Sequence, residues 1–102
     1  MERRAVSSRP VIHVLLVEDD PSDAFLVQGE LNGVAPGSFE VLHVKNEAEA
    51  IAVLADRHFD VCLLDLSLPD ATGLSALINI QERLPQMPVL LLTAMDDEQL
   101  AR

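Results

Sequence analysis

The chain is poor in positive charge, in aromatic side chains and in cysteine. Seven lysine and arginine residues accompany 17 aspartates and glutamates, which gives a net charge of -10. That surplus repels phosphates, so we predict no nucleic-acid or anionic-membrane surface and instead a domain that attracts cations. The single cysteine, Cys62, lies inside an apolar run. A disulfide framework or a cysteine metal site is thereby excluded, and we expect a reducing, cytoplasmic location.

Length and patterning predict one small domain. The 102 residues, of which 49% are hydrophobic, suffice for a single core and not for two. Residues 1–10 are polar and basic, which predicts a flexible N-terminal tail before a domain over residues 11–102. The apolar run Val11–Val17 is interrupted by His13 and ends at acidic residues, so we expect neither a signal peptide nor a membrane span.

Short apolar segments alternate with helical patterns along the chain. The predicted strands are Val11–Val17, Phe39–Val44, Phe59–Asp65 and Val89–Leu92. Helices are predicted from Pro21, after Asn46, over Leu74–Leu84 and from Asp96 onwards. This alternating order predicts an α/β fold with a parallel sheet and right-handed crossovers.

The spacing of apolar residues also predicts which helical side chains face the core. In the first helix these are Ala24, Phe25, Leu26, Val27 and Leu31. In the second they are Ala48, Ile51, Ala52, Leu54 and Ala55, and in the third Leu74, Leu77, Ile78 and Leu84. Asp20 is the expected N-cap of the first helix, and Asn46 with Glu49 resembles a capping box for the second.

Acidic or hydroxyl side chains follow three of the predicted strands. Glu18 and Asp19 come after the first strand, Asp65 ends the third, and Thr93 follows the fourth. Because the carboxyl ends of parallel strands share one edge of the sheet, these residues are expected to meet there. Carboxylates in one crevice repel each other unless a cation lies among them, and Mg²⁺ suits such oxygen ligands. Asp65 is then the best candidate for a nucleophile toward phosphorus, with Thr93 placed to hydrogen-bond a phosphoryl oxygen.

Three motifs carry a resemblance to a known family. They are Leu-Leu-Val-Glu-Asp-Asp-Pro, Asp-Val-Cys-Leu-Leu-Asp-Leu-Ser-Leu-Pro-Asp-Ala-Thr-Gly-Leu and Pro-Val-Leu-Leu-Leu-Thr-Ala. In this order and spacing they resemble the receiver domain of two-component response regulators, over about residue 11 to the end of the chain. The resemblance implies a doubly wound, flavodoxin-like parallel sheet.

The resemblance also implies a phosphorelay function. Asp65 would accept a phosphoryl group from a histidine kinase or a phosphotransfer histidine, so the domain would be a signalling phosphoprotein and not an enzyme. Glu18, Asp19 and Asp65, with the backbone carbonyl of Ser67, would hold Mg²⁺, and Thr93 would be the switch hydroxyl. The output domain is left open.

The chain departs from the family pattern at its C-terminal end. The family's strand order is 2-1-3-4-5, and for this chain the resemblance implies order 2-1-3-4, without the fifth strand, its lysine and the last helix. Lys45 is the only lysine present, and it lies at the end of the second strand. Val89–Leu92 would then be an exposed edge, so we predict self-association through it.

Two other functions stay open. An interaction or dimerisation module that keeps the fold without switching fits the missing lysine. A metal-dependent phosphohydrolase fits less well, because such enzymes tend to carry a second acid two residues after the nucleophile, where this chain has Ser67.

Overall fold

A four-stranded parallel sheet forms the centre of the molecule. The structure is a computed structural model that describes residues 10–92, without the side chains of residues 71–73. The strands of the sheet are β1 (Ile12–Val17), β2 (Phe39–Val44), β3 (Val61–Asp65) and β6 (Val89–Leu92). Their order is β2-β1-β3-β6. The predicted order 2-1-3-4 is therefore confirmed, whereas Thr93, the helix expected from Asp96 and the tail before Pro10 lie outside the described residues.

Two short strands that the sequence did not predict follow β3. They are β4 (Ser67–Leu68) and β5 (Ala71–Thr72), which pair antiparallel around the turn at Pro69 and Asp70. The predicted start of the third strand at Phe59 is wrong by two residues, although Phe59 is buried. Asp60, the residue before β3, bonds to β1 at the N-terminal end of the β1–β3 ladder. Its amide donates to the His13 carbonyl, and its carboxylate accepts from the His13 amide, both at 2.8 Å.

Three helices connect the strands. They are α1 (Pro21–Val34), α2 (Glu47–Leu54) and α3 (Gly73–Arg83). Asp20 caps α1 as predicted, since its carboxylate accepts from the Ser22 and Asp23 amides. Only one of the two bonds of the expected capping box at α2 forms between Asn46 and Glu49. Asn46 accepts from the Glu49 amide, but the Glu49 carboxylate accepts from the amide of Lys45, one residue before the cap.

The core lies on both faces of the sheet because side chains alternate along the strands. On one face, Val14 and Leu16 of β1 pack with Leu63 of β3 and Ala24 of α1. On the other face, the buried residues come from β1, β2, β3 and β4, from α2 and α3 and from two loop positions. They include Leu15, Val17, Leu64, Ala50, Leu54, Ala76 and Ile80. The sheet is thus covered by α1 on one side and by α2 and α3 on the other, which leaves the carboxyl ends of the strands accessible.

Several predicted core positions on the helices are wrong. Phe25 of α1 is 76% exposed, and Leu26, Leu74 and Ile78 are also exposed. Ala48 and Ala52 of α2 and its C-cap Ala55 are exposed, whereas Leu54 is buried as predicted. Ala50, which the pattern did not predict, is buried as well. In α3 the buried residues are Ala76 and Ile80, with Leu77 and Leu84 half-buried against the core.

The errors in α2 and α3 have one geometric cause. Both α2 and α3 contain two apolar rows at i, i+4 spacing, and in each helix the second row begins two residues after the first, about 200° around the axis. The pattern alone does not choose between the rows. In α3 the row that faces the sheet is the one that begins with the small Ala76, which allows close approach of the helix, and continues with Ile80.

This assignment predicts that replacing two isoleucines of α3 by alanine lowers the free energy of unfolding by different amounts. Ile80 is 0% exposed and Ile78 is 49% exposed. Ile80→Ala is expected to lower the free energy of unfolding by about 3 kcal/mol, because it removes buried methyl groups and leaves a cavity. Ile78→Ala is expected to cost less than about 1 kcal/mol. Urea unfolding of the two variants measures both values, and equal losses would contradict the observed face.

Candidate functional site

Three carboxylates converge at the carboxyl edge of the sheet. Glu18 and Asp19 directly follow β1, and Asp65 is the last residue of β3. The parallel register pairs Val17 with Leu64, so the acidic residues come one step later on both neighbouring strands. One oxygen from each of the three carboxylates lies within 4.8 Å of the others. The predicted meeting of Glu18, Asp19 and Asp65 is confirmed.

The chain around Glu18 is held by its neighbours. The Glu18 amide donates to the Val44 carbonyl of β2 at 3.0 Å, which extends the β1–β2 ladder by one residue. The Glu18 carbonyl contacts Nε2 of His43 at 2.6 Å. The Glu18 carboxylate in turn accepts from the amide of Asp20 at 3.1 Å. Both the main chain and the side chain of this acid therefore have fixed positions at the strand end.

Burial raises the proton affinity of two of the three acids. Glu18 is 5% exposed and Asp65 is 7% exposed. Burial raises the pKa of Glu18 to about 7, with the negative charges of Asp65, Asp23 and Asp19 adding to the rise and the Asp20 amide opposing it. Burial also raises the pKa of Asp65, and the charge of Asp19 adds to it. Two buried acids beside a third carry more negative charge than the site accommodates without a proton or a cation.

The donor set fits a hard divalent ion. Three carboxylates supply only oxygen ligands, and a cation among them would remove the repulsion that raises the pKa values of Glu18 and Asp65. Mg²⁺ is commonly held by one or two carboxylates together with water and phosphate oxygens, which the geometry allows. Ser67 lines the same cavity as the acids. The role of its carbonyl as a ligand stays a prediction, as does that of Thr93, which lies outside the described residues.

An open cavity of about 710 Å³ adjoins the acids. Its acidic end contains Glu18, Asp19 and Asp65, and its apolar side is formed by α1 together with Leu63 and Leu92. Leu92 pairs in register with Asp65, so β6 delivers its last described residue beside the acid at the end of β3. The cavity therefore gives a phosphoryl-sized group access to Asp65 from solvent.

The loop after Asp65 is tied to α2 by a residue whose role the sequence did not reveal. The Asp70 carboxylate accepts from the amides of Glu47 and Ala48 at 2.9 and 3.0 Å. These two bonds lower the pKa of Asp70, the Glu47 amide having the larger effect. Asp70 thus serves as a second cap of α2, from more than 20 positions away in the chain. No local pattern marks such a cap, because its partners meet only in the folded chain.

Removing this second cap is expected to loosen both segments that it joins. Asp70→Ala leaves the Glu47 and Ala48 amides without their acceptor, so we expect a melting temperature several degrees lower and faster hydrogen exchange at these two amides. Asp70→Asn keeps one acceptor oxygen and is expected to lose less. Calorimetry and amide exchange measure the effects. Unchanged exchange in Asp70→Ala would show that the contact does not restrain α2.

Comparison with known proteins agrees with this geometry. A family model described as the response regulator receiver domain matches residues 14–102. The chain belongs to this family. The response regulator protein PilR of Pseudomonas aeruginosa is 38% identical to this receiver domain over 80 residues, which cover 78% of this chain and 17% of PilR. The chain thus spans less than two thirds of the length of that relative.

Solved structures share the receiver fold. The phosphorylated cyanobacterial phytochrome response regulator RcpA superposes with a TM-score of 0.73 at 29% identity, covering 89% of this chain and 71% of that one. A chain in the complex of the histidine kinase ThkA with the response regulator TrrA gives a TM-score of 0.73 at 26% identity, covering 82% and 70%. The doubly wound, flavodoxin-like fold class is therefore confirmed. None of the helices within residues 10–92 has the length and apolar character needed to cross a bilayer.

Proposed function

We propose that this receiver domain takes a phosphoryl group onto Asp65 in the presence of Mg²⁺. The observation that carries the proposal is the cluster of Glu18, Asp19 and Asp65, whose oxygens lie within 4.8 Å of one another beside an open cavity. Among the three, Asp65 alone terminates the central strand β3 and is followed by the Ser67 loop. The raised pKa values of Glu18 and Asp65 support a site that is completed by a cation.

The chemistry expected of these residues is the transfer of a phosphoryl group from a histidine nitrogen to a carboxylate oxygen. A carboxylate oxygen of Asp65 would attack phosphorus in line with the departing imidazole, forming a P–O bond as the P–N bond of phosphohistidine breaks. With its other nitrogen already protonated, the imidazole leaves as a neutral ring and no further proton is needed. Bound Mg²⁺ would supply charge neutralisation for the phosphoryl oxygens. Glu18, Asp19 and Asp65 would hold that ion together with the backbone carbonyl of Ser67. The hydroxyl of Thr93 would hydrogen-bond a phosphoryl oxygen.

A histidine kinase or a phosphotransfer protein is the proposed donor. Support comes from the likeness to a chain in the ThkA–TrrA complex and from the family itself. In this scheme the chain is the substrate of a phosphoryl transfer and turns over no substrate of its own, so we propose that it is not an enzyme. An output domain or a separate partner would read the modification, and the fact that the matched part covers only 17% of PilR is compatible with a further domain.

Intact-mass spectrometry tests the proposal. The chain is incubated with phosphoramidate, a small P–N donor, in the presence of Mg²⁺ or of EDTA. The expected result is a gain of one phosphoryl group with Mg²⁺ and at least a tenfold slower gain with EDTA. Because carboxyl phosphates hydrolyse within hours, the mass gain should also decay on standing. A chain that gains no phosphoryl group under either condition would contradict the proposal.

A second candidate function, assembly without phosphoryl chemistry, rests on the edge strand β6. Within the described residues β6 pairs only with β3, and Leu90 is 56% exposed and Leu91 is 41% exposed on it. An apolar edge of this kind favours pairing with a second copy. Sedimentation of the chain and of Leu90→Lys tests this: a dimer that Leu90→Lys dissociates supports it. Leu74→Lys, at an exposed site of α3, is the matched control.

A further inference from the structure

The half-buried His43 of β2 contacts the acidic cluster from outside it. Its Nε2 lies 2.6 Å from the carbonyl oxygen of Glu18. A carbonyl oxygen only accepts hydrogen bonds, so Nε2 must carry the proton in this contact. The ring is therefore a donor to the main chain of a residue whose own side chain faces the site.

That carbonyl needs a donor because of where it lies. Glu18 is the first residue beyond β1 and is 5% exposed. Its amide is still bonded to β2 through the Val44 carbonyl, but the β1–β2 register ends at Val17 and Val44. The β1–β2 ladder thus stops before the Glu18 carbonyl. The His43 side chain supplies the hydrogen bond to this carbonyl that a backbone amide of β2 would supply in a longer ladder. A buried carbonyl without a partner costs free energy and favours a rotated peptide.

The peptide that His43 holds joins the two acids of the cluster. The Glu18 carbonyl and the Asp19 amide belong to one rigid unit, so its rotation moves both carboxylates. The same turn fixes the Glu18 side chain, whose carboxylate accepts from the Asp20 amide at 3.1 Å. A donor at the Glu18 carbonyl therefore sets the direction in which Glu18 and Asp19 present their oxygens to Asp65.

We propose that His43 is a positioning residue of this site, which orients the Glu18–Asp19 peptide through its Nε2–H. The inference builds on the proposed function, because it names His43 as the residue that orients Glu18 and Asp19, two of the residues that would hold Mg²⁺. It predicts a specific side-chain requirement. Glutamine can place an amide NH₂ near the position of the histidine Nε2, whereas asparagine is too short to reach it and leucine has no donor.

The test compares His43→Leu, His43→Asn and His43→Gln in the full chain. Calorimetric titration with MgCl₂ is expected to show about tenfold weaker binding for the leucine and asparagine variants, as for other residues that orient metal ligands. The glutamine variant is expected to stay within about threefold of the original chain. His13→Leu is the matched control, because His13 lies on the adjacent strand with its ring beside Glu40 and away from the acids.

A measurement without metal separates this inference from the proposed function. Hydrogen exchange of the Asp20 amide, which donates to the Glu18 carboxylate, is expected to be several-fold faster in His43→Leu and His43→Asn and unchanged in His43→Gln and His13→Leu. Equal exchange and equal Mg²⁺ binding in all variants would overturn the role of His43. An equal loss in His43→Gln and His43→Leu would also overturn it. If the original chain binds no Mg²⁺, the proposed function fails, and the exchange comparison alone decides for or against His43.

Discussion

Replacing Asp65 by asparagine is expected to abolish phosphoryl acceptance and, at the same time, to stabilise the metal-free protein. The amide is not a nucleophile toward phosphorus, so the mass gain with phosphoramidate should disappear. Asparagine is nearly the same size as aspartate and carries no charge. It would therefore relieve the repulsion with Asp19 and the burial cost that raises the pKa of Asp65.

Asp65→Asn is thus expected to lose phosphoryl acceptance and to gain stability, a combination that general damage to the fold would not produce. We expect the melting temperature of Asp65→Asn at pH 7.5 without metal to rise by about 5 °C, which is roughly 1 kcal/mol for a domain of this size. Asp56→Asn, an exposed acid beyond α2, is the control and should change neither property. A variant that loses stability would show that Asp65 has a structural role in the turn, and one that is still phosphorylated would show a different acceptor.

The second large effect is a dependence of metal-free stability on pH between about 4.5 and 7. The pKa of Glu18 rises from an ordinary 4.5 to about 7 on folding, so the folded chain binds a proton that the unfolded chain has released. Its contribution to stability is fully present below pH 4.5 and is lost as the pH rises through about 7. The raised pKa of Asp65 acts in the same direction.

Groups with lowered pKa values affect the stability in a different, more acidic pH range. Bonds from backbone amides lower the pKa of Asp60 and of Asp70 below 3.8, so their contributions are lost only as the pH falls below that value. A fall in melting temperature between pH 5 and pH 7.5 is assigned to the acidic cluster to the extent that Glu18→Gln reduces it, because the His13–Glu40 and His58–Asp60 pairs also depend on a protonated histidine. The expected fall is about 5 °C or more in EDTA.

Added Mg²⁺ and Glu18→Gln should each flatten this profile. A bound cation stabilises the ionised cluster, so millimolar MgCl₂ is expected to raise the melting temperature at pH 7.5 far more than at pH 5. Glu18→Gln removes the group whose pKa is raised to about 7 and should show a weaker pH dependence without metal. Differential scanning calorimetry measures both. A profile in EDTA that is flat from pH 5 to pH 7.5 would contradict the burial of these acids.

The parallel sheet and the meeting of the acids could be predicted from sequence because each depends on short, regular features, whereas the strand order came from the family resemblance. Strands that are apolar on both faces identify a parallel sheet, and residues that follow such strands must share one edge. Glu18, Asp19 and Asp65 were found in this way. The buried faces of α2 and α3 could not, since each helix offers two apolar rows and only packing decides between them.

The supports of the site were also beyond sequence reasoning. From the sequence, His43 is interpreted as an ordinary surface or loop residue and Asp70 as a turn residue, yet His43 contacts the Glu18 carbonyl and Asp70 caps α2. Both contacts join residues more than 20 positions apart. They depend on the register of β1 with β2 and on the path of the loop after β3, which no local pattern specifies.

The measurement that tests the central claim most directly is the location of the phosphoryl group. The chain is treated with phosphoramidate and MgCl₂, digested under mildly acidic conditions that preserve carboxyl phosphates, and sequenced by tandem mass spectrometry. We predict a single modified site at Asp65 and at least tenfold slower modification in EDTA. Phosphoramidate can also modify histidine, so a group found on His13, His43 or His58, or an equal yield without Mg²⁺, would contradict the account.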